Sequence, residues 1–195
     1  MILFFDTETT GFFNERQPVN HPSQPHIVQL AALLTEDDGT AVMSMSTIID
    51  NGVPIPAQAS SVHGITTEIA DARGIEPEIA MQMFGHLYRL ADTVVAHNIK
   101  FDKGVVEAEI FRRHGEVRRL TKSLFCTMEA ASPIVNLPPT ERMLAAGFDK
   151  PKPPKLEECI LHFFNEPLDG AHDAMIDVVA CQRVFFHLKS LEGAA

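Results

Sequence analysis

The chain has 195 residues, 45% of them hydrophobic and 22% charged, which is the composition of one soluble globular domain with a real core. Its formal net charge of −10 excludes the broad basic surface of a duplex-wrapping protein, and no stretch approaches the ~18 apolar residues of a membrane span. Three widely spaced cysteines, Cys126, Cys159 and Cys181, form no Cys-x-x-Cys pair, which argues against a disulfide framework or a thiolate zinc site and for a reducing, cytoplasmic setting.

In chain order, Ile2 to Glu8 reads as a central strand, because four consecutive apolar residues suit burial on both faces and Thr-Thr-Gly ends the run. Nothing at this start has the basic and long apolar regions of a signal peptide. A proline-rich stretch, Arg16 to Pro25, follows and is expected to flap over whatever site the first strand carries. Ile27 to Leu34 and Ala41 to Ile49 form a hairpin through the acidic turn Glu36-Asp37-Asp38-Gly39-Thr40. A short helix is expected from Thr66 to Ala72. A longer one runs from Pro77 to Leu90, with Ile79, Met83 and Leu87 along its buried stripe and Met81 and Phe84 also in the core. Thr93 to Ala96 is a short buried strand, Phe101 to His114 a helix stopped by Gly115, and Ser123 to Cys126 one more strand. The six prolines between Pro133 and Pro154 predict a loop excursion. Helices then cover Leu156 to Phe164 and Asp173 to Leu191, with the terminus 192–195 frayed. These elements predict a single α/β domain over residues 1–195, a mixed sheet flanked by helices.

Three segments carry chemistry. Asp6 and Glu8 sit in Phe5-Asp6-Thr7-Glu8-Thr9-Thr10-Gly11, Asp102 ends His97-Asn98-Ile99-Lys100-Phe101-Asp102, and His172 precedes Asp177 by five residues. Asp6 and Glu8 alternate on a strand and project from one face, with Thr7 on the other. A five-residue step turns about 140° on a helix, so His172 belongs to the loop before the helix, Asp173 caps it, and Asp177 faces inward one turn later. Carboxylates ending apolar runs are costly to desolvate unless a cation meets them. A set without cysteine suits a hard ion, Mg2+ or Mn2+, and a pair of such ions hydrolyses phosphodiesters. Beside such a centre a histidine takes a proton from water better than an aspartate does. His97 and Asn98 are expected to bond to backbone near the site, and Cys126 and Cys181 to pack in apolar surroundings.

The three segments, with Val62-His63-Gly64-Ile65-Thr66 between the first two, resemble the motifs of the DnaQ-like 3′-to-5′ exonucleases of the DEDDh type. The likeness spans Asp6 to Asp177 and implies a ribonuclease-H-like fold. It implies that Asp6 bridges two metals, Glu8 and Asp177 complete the tighter site, Asp102 holds the second, and His172 is the general base. The substrate is implied to contact Thr9, Phe12, His63 and Ile65, with Phe12 as a wedge on the terminal base and Phe13 as its alternative. Helix capping and core packing are the other roles open to His63 and Ile65.

Similarity of Val95-Ala96-His97-Asn98 and Phe125-Cys126-Thr127-Met128 to stand-alone proofreading and repair members favours a nucleic-acid 3′ end made of DNA over RNA. A small exoribonuclease, a ribonuclease-H-like endonuclease, or a silent subunit binding nucleic acid or a polymerase are the alternatives; oligomeric state and polymerase partner stay open. Seven basic against four acidic residues from Lys100 to Lys122, and the group Lys150, Lys152, Lys155, are either phosphate contacts or solvated faces.

Overall fold

The computed structural model describes residues 1–193; residues 194–195, part of the terminus expected to fray, lie outside them. Five strands form one mixed sheet: β1 (Ile2–Thr9), β2 (Ile27–Thr35), β3 (Ala41–Ile48), β4 (Thr93–Ala96) and β5 (Ser123–Cys126), in the order β3-β2-β1-β4-β5. The first three pair antiparallel; β1 with β4 and β4 with β5 pair parallel. The tight 36–40 turn makes the β2–β3 hairpin and the longer 10–26 segment returns β1 to β2, whereas the parallel additions need helical crossovers. Among the described residues eight helices flank the sheet: α1 (Ala57–His63), α2 (Thr67–Arg73), α3 (Pro77–Leu90), α4 (Ile99–His114), α5 (Thr127–Val135), α6 (Glu141–Ala145), α7 (Leu156–Phe164) and α8 (Ala174–Gly193). This is the expected α/β, ribonuclease-H-like architecture.

Strand alternation sorts β1 between two cores. Leu3 and Phe5 face α3 and α4 in a cluster with Leu30, Phe84 and Val105; Ile2 and Phe4 face α8 with Ala31, Leu33, Val178 and Phe185. Phe4 meets Phe185 edge to face at 5.4 Å, a contact contributing ~0.5–1.5 kcal/mol beyond area burial. A third cluster joins α5, α7 and α8 through Ala131, Cys159, Ile160, Val184 and Leu188.

Four features depart from the reading of the sequence. The buried stripe of α3 is Ala80, Met81, Phe84 and Leu87, while Ile79 and Met83 are exposed, because the sheet meets a face one residue round from the 79-83-87 row. Helix α1 has no buried residue, so no apolar period announces it; Gly64, at φ 74°, closes it. Helix α5 runs through Pro133, whose missing N–H removes one i→i−4 hydrogen bond from this nine-residue helix, and α6 adds one turn inside the proline-rich excursion. The fourth concerns residues 16–25. Buried Gln24 donates to the carbonyls of Asn14, Gln17 and Pro18 and accepts from the Asn14 N–H, and Arg112 of α4 donates to the Pro25 carbonyl. The segment is thus cross-braced against its own backbone and α4.

Phe13 packs on α4 over Gly104, where an added Cβ would lie 2.6 Å from its ring. Gly104→Ala should therefore destabilise the protein by ~1–2 kcal/mol in urea unfolding, overriding the ~1 kcal/mol helix-propensity gain. A neutral or stabilising result would show that the Phe13 ring does not occupy this seat.

Candidate active site

The site lies where β1 runs past the end of β4. Asp6 and Glu8 continue the even-numbered face of β1 onto α8, opposite Ala31 and Gln29 of β2. Gln29 interrupts a strand that is apolar from Ile27 to Leu34, and it holds the start of α8: its Nε2 donates to Asp173 Oδ2 at 3.2 Å and its Oε1 accepts from Ala174 N at 3.2 Å. Asp173 caps the helix, accepting from Met175 N and Ile176 N. Asp177, one turn on, then faces β1. His172 lies in the preceding loop with φ 70°, and its backbone N–H donates to Asp177 Oδ2 at 3.1 Å. Gly170, at φ 76°, takes up a left-handed backbone there that a residue with a side chain would adopt only under strain. One ligand atom each from Glu8, His172 and Asp177 lies within 4.8 Å of the other two.

Asp102 approaches from the opposite face. It sits in the first turn of α4, buried, and its Oδ1 accepts from Thr7 N at 3.0 Å and Thr7 Oγ1 at 2.7 Å. Beyond Phe4 the strand has no β4 partner, so at Thr7 Asp102 satisfies the open edge that a longer ladder would have met. Asn98, at φ 69°, makes the tight entry from β4 into α4. His97 lies under the far wall. The Pro154 carbonyl, 3.0 Å from Nε2, can only accept, so Nε2 carries the proton and Nδ1 accepts from Thr127 Oγ1 at 3.0 Å. Burial pushes the His97 pKa down to about 4.

These elements enclose a cavity of about 720 Å³. Asp6, Glu8, His172 and Asp177 line its base; α1 forms one wall with Gln58, Val62 and His63, and Phe101, Met128, Pro153, Pro154, Leu156 and Leu168 form the other. Thr9 and Phe12 also line it. Thr9 Oγ1 donates to the Gly11 carbonyl at 2.7 Å and shapes the turn that sends Phe12 outward, 86% exposed, while Phe13 turns in onto Gly104. Phe13 is therefore not available as the wedge. His63 Nδ1 accepts from Ile65 N at 3.1 Å, so Nε2 is protonated, and it meets no protein acceptor. Ile65 is a correction. It precedes the Thr66 cap of α2 and is buried with Ala70 at the fourth helical position, so a hydrophobic staple claims it and the cavity wall does not. Residues 16–25 do not line the cavity either, so the expected flap is a braced loop at its side. Gln29, α1 and the 153–156 wall escaped sequence reasoning; the polar interruption of β2 is the one signal that marks any of them.

The electrostatics are unbalanced. Burial first, and then the neighbouring carboxylates, raise Asp6 well above its usual range and push Glu8 up to about 8. Burial lifts Asp102 to about 7 against the Thr7 hydrogen bonds, and lifts Asp177 as well. Asp177 Oδ1 is buried without a donor. An oxygen-rich set with one imidazole, an orphaned carboxylate oxygen and no internal cation among the carboxylates fits a hard divalent ion.

A family model for exonucleases, RNase_T, matches residues 3–185. The chain belongs to the RNase_T exonuclease family. Exonucleases of this DnaQ-like fold use divalent metal ions. A DNA polymerase III subunit epsilon-like protein of Rhodobacter capsulatus is 33% identical over 101 residues, which are 51% of this chain and 13% of that protein. Escherichia coli exonuclease I, in a zinc-bound complex with single-stranded DNA, superposes with a TM-score of 0.73 at 20% identity, over 98% of this chain and 41% of that one. The same exonuclease with a dT13 oligonucleotide gives 0.73 at 20% identity, over 96% and 40%. At that identity the likeness is one of fold, and this chain spans about two-fifths of exonuclease I.

A carboxyl whose folded pKa lies above its unfolded value near 4 stabilises the fold below that value, and the contribution is lost as pH rises through the folded pKa. With Glu8 at about 8 and Asp102 at about 7, chelator-treated protein should lose stability between roughly pH 7 and pH 8.5, where His97 is neutral folded or unfolded. Its melting temperature should fall by about 3 °C or more across that window, and millimolar Mg2+ should reverse the fall. A flat or rising profile in the chelator would contradict the crowding of these groups.

Proposed function

We propose that the chain is a single exonuclease domain, residues 1–195, that removes nucleoside 5′-monophosphates from single-stranded or frayed DNA 3′ ends. The observation that carries the proposal is the convergence of Glu8, His172 and Asp177 within 4.8 Å, beside Asp6, at the base of a cavity rimmed by an exposed Phe12. Asp6, Glu8, Asp177 and the oxygen of Asp102 turned away from Thr7 would hold two Mg2+ or Mn2+ ions. Such a pair polarises the scissile phosphate and lowers the pKa of water.

The chain's own groups do the rest. His172, on the exposed loop before α8, takes the proton of the attacking water as its oxygen joins phosphorus and the bond to the penultimate 3′ oxygen breaks. The bond from its backbone N–H to Asp177 keeps that loop in register with the acids. Phe12 stacks on the terminal base. The protonated His63 Nε2, without a protein acceptor, donates to the terminal nucleotide. Thr9 acts through the turn it braces. The single-stranded DNA in the exonuclease I complexes and the polymerase-subunit-like relative support DNA as substrate.

On a 5′-labelled strand with Mg2+, the expected product is a ladder shortening one nucleotide at a time. Internal cuts would mean an endonuclease, and an intact strand a binding module. His172→Ala should lower kcat by at least ~100-fold while Mg2+ still raises the melting temperature. Asp6→Ala should lose both responses. Near-normal turnover by His172→Ala at neutral pH would remove the histidine from the general-base role. Matched DNA and RNA strands complete the test: faster shortening of RNA would reassign the substrate.

A further inference from the structure

The basic side chains of this molecule are mostly spent on its own carboxylates. Ten of its sixteen Lys and Arg side chains lie within 4.0 Å of an acidic group. In the basic run from Lys100 to Lys122, Lys103 and Arg119 converge on buried Glu107, and Arg112 and Arg113 on buried Glu109. Those four cations compensate carboxylates that are at most 1% exposed, and pulling one away to a phosphate would leave a buried charge uncompensated.

The pattern continues at the mouth of the cavity. Lys155, its one lining cation, is 3.1 Å from Glu157; Lys100, between the lining residues Asn98 and Phe101, is 2.6 Å from Glu129; and Lys152, beside Pro153, pairs with Glu158. The remaining six Lys and Arg residues are absent from the lining. With Asp6, Glu8, Glu157 and Asp177 against Lys155, the cavity is formally −3. Acidic side chains outnumber the lining ammonium, and outside the reach of the divalent ions that they would hold Lys100, Lys152 and Lys155 are each paired with a carboxylate well inside the ~8–10 Å Debye length.

Granted the exonuclease assignment above, we infer that this chain grips only the last two or three nucleotides of a single strand, so that its substrates include oligonucleotides a few residues long, held as well as long strands. Apolar stacking in the cavity and the site's metal ions supply the grip; a phosphate-tracking groove does not. The salt dependence of binding counts the phosphates neutralised, at ~0.7 per phosphate for single strands, so two contacts predict a log–log slope no steeper than about −1.4.

The test uses His172→Ala protein with Mg2+ and 5′-fluorescein-labelled thymidylate strands, a trimer and one of about 20 nucleotides, followed by anisotropy. The expected result is Kd values within about fivefold of each other and a slope for the long strand shallower than about −2. A larger ratio or a steeper slope would overturn the inference. Glu129→Gln, which strips Lys100 of its carboxylate, should steepen that slope by ~0.7; an unchanged slope would overturn the role given to the pairing. Turnover by the unaltered protein separates the two proposals. Shortening of both lengths with strong preference for the long one keeps the nuclease and rejects the short grip. Equal binding without shortening does the reverse.

Discussion

Four carboxylates that repel one another have to be held together at the end of one strand. Asp6, Glu8, Asp102 and Asp177 are each raised in pKa by burial and by their neighbours, which means that the apo fold works against its own site. The surrounding structure supplies what opposes that repulsion. Two hydrophobic layers sandwich β1, Gln29 clamps the start of α8, and Thr7 ties Asp102 to the open edge of the strand. Such preorganisation places the charge needed for a divalent ion before the ion arrives.

The walls are braced by side chains that do no chemistry. His97 is neutral and doubly bonded, joining the end of β4 to Thr127 and the Pro154 carbonyl, so the proline segment stands as a wall. Gln24 and Arg112 do the same for residues 16–25. Prolines in both segments lower the entropy cost of that order. The result is a cavity whose rigid parts come from loops, with Phe12 the one large aromatic left to solvent at its rim.

The charge distribution follows from the same economy. A net charge of −10 would repel a nucleic acid, and four cations of the basic stretch in and after α4 are occupied with Glu107 and Glu109. Exposed Lys100 and Arg118 fit a solvated face, whereas Lys103, Arg112, Arg113 and Arg119 are neither that nor a phosphate track. Ion pairs over buried acids form a third class that a count of charges along the chain does not reveal.

What the sequence by itself determined is the local chemistry: alternation placed Asp6 and Glu8 on one face, the five-residue step put His172 in a loop, and Asp173 capped α8, each set by backbone periods of 2.0 and 3.6. The order of strands and most helix bounds were legible for the same reason. The tertiary structure alone decided which side of an element meets which partner. It turned α3 by one residue, withdrew Ile65 into a staple, seated Phe13 on Gly104, recruited Gln29 from β2, and raised α1 as a wall without one buried side chain. Those outcomes depend on contacts between residues up to about 145 apart, such as Gln29 with Ala174, and no local period encodes them.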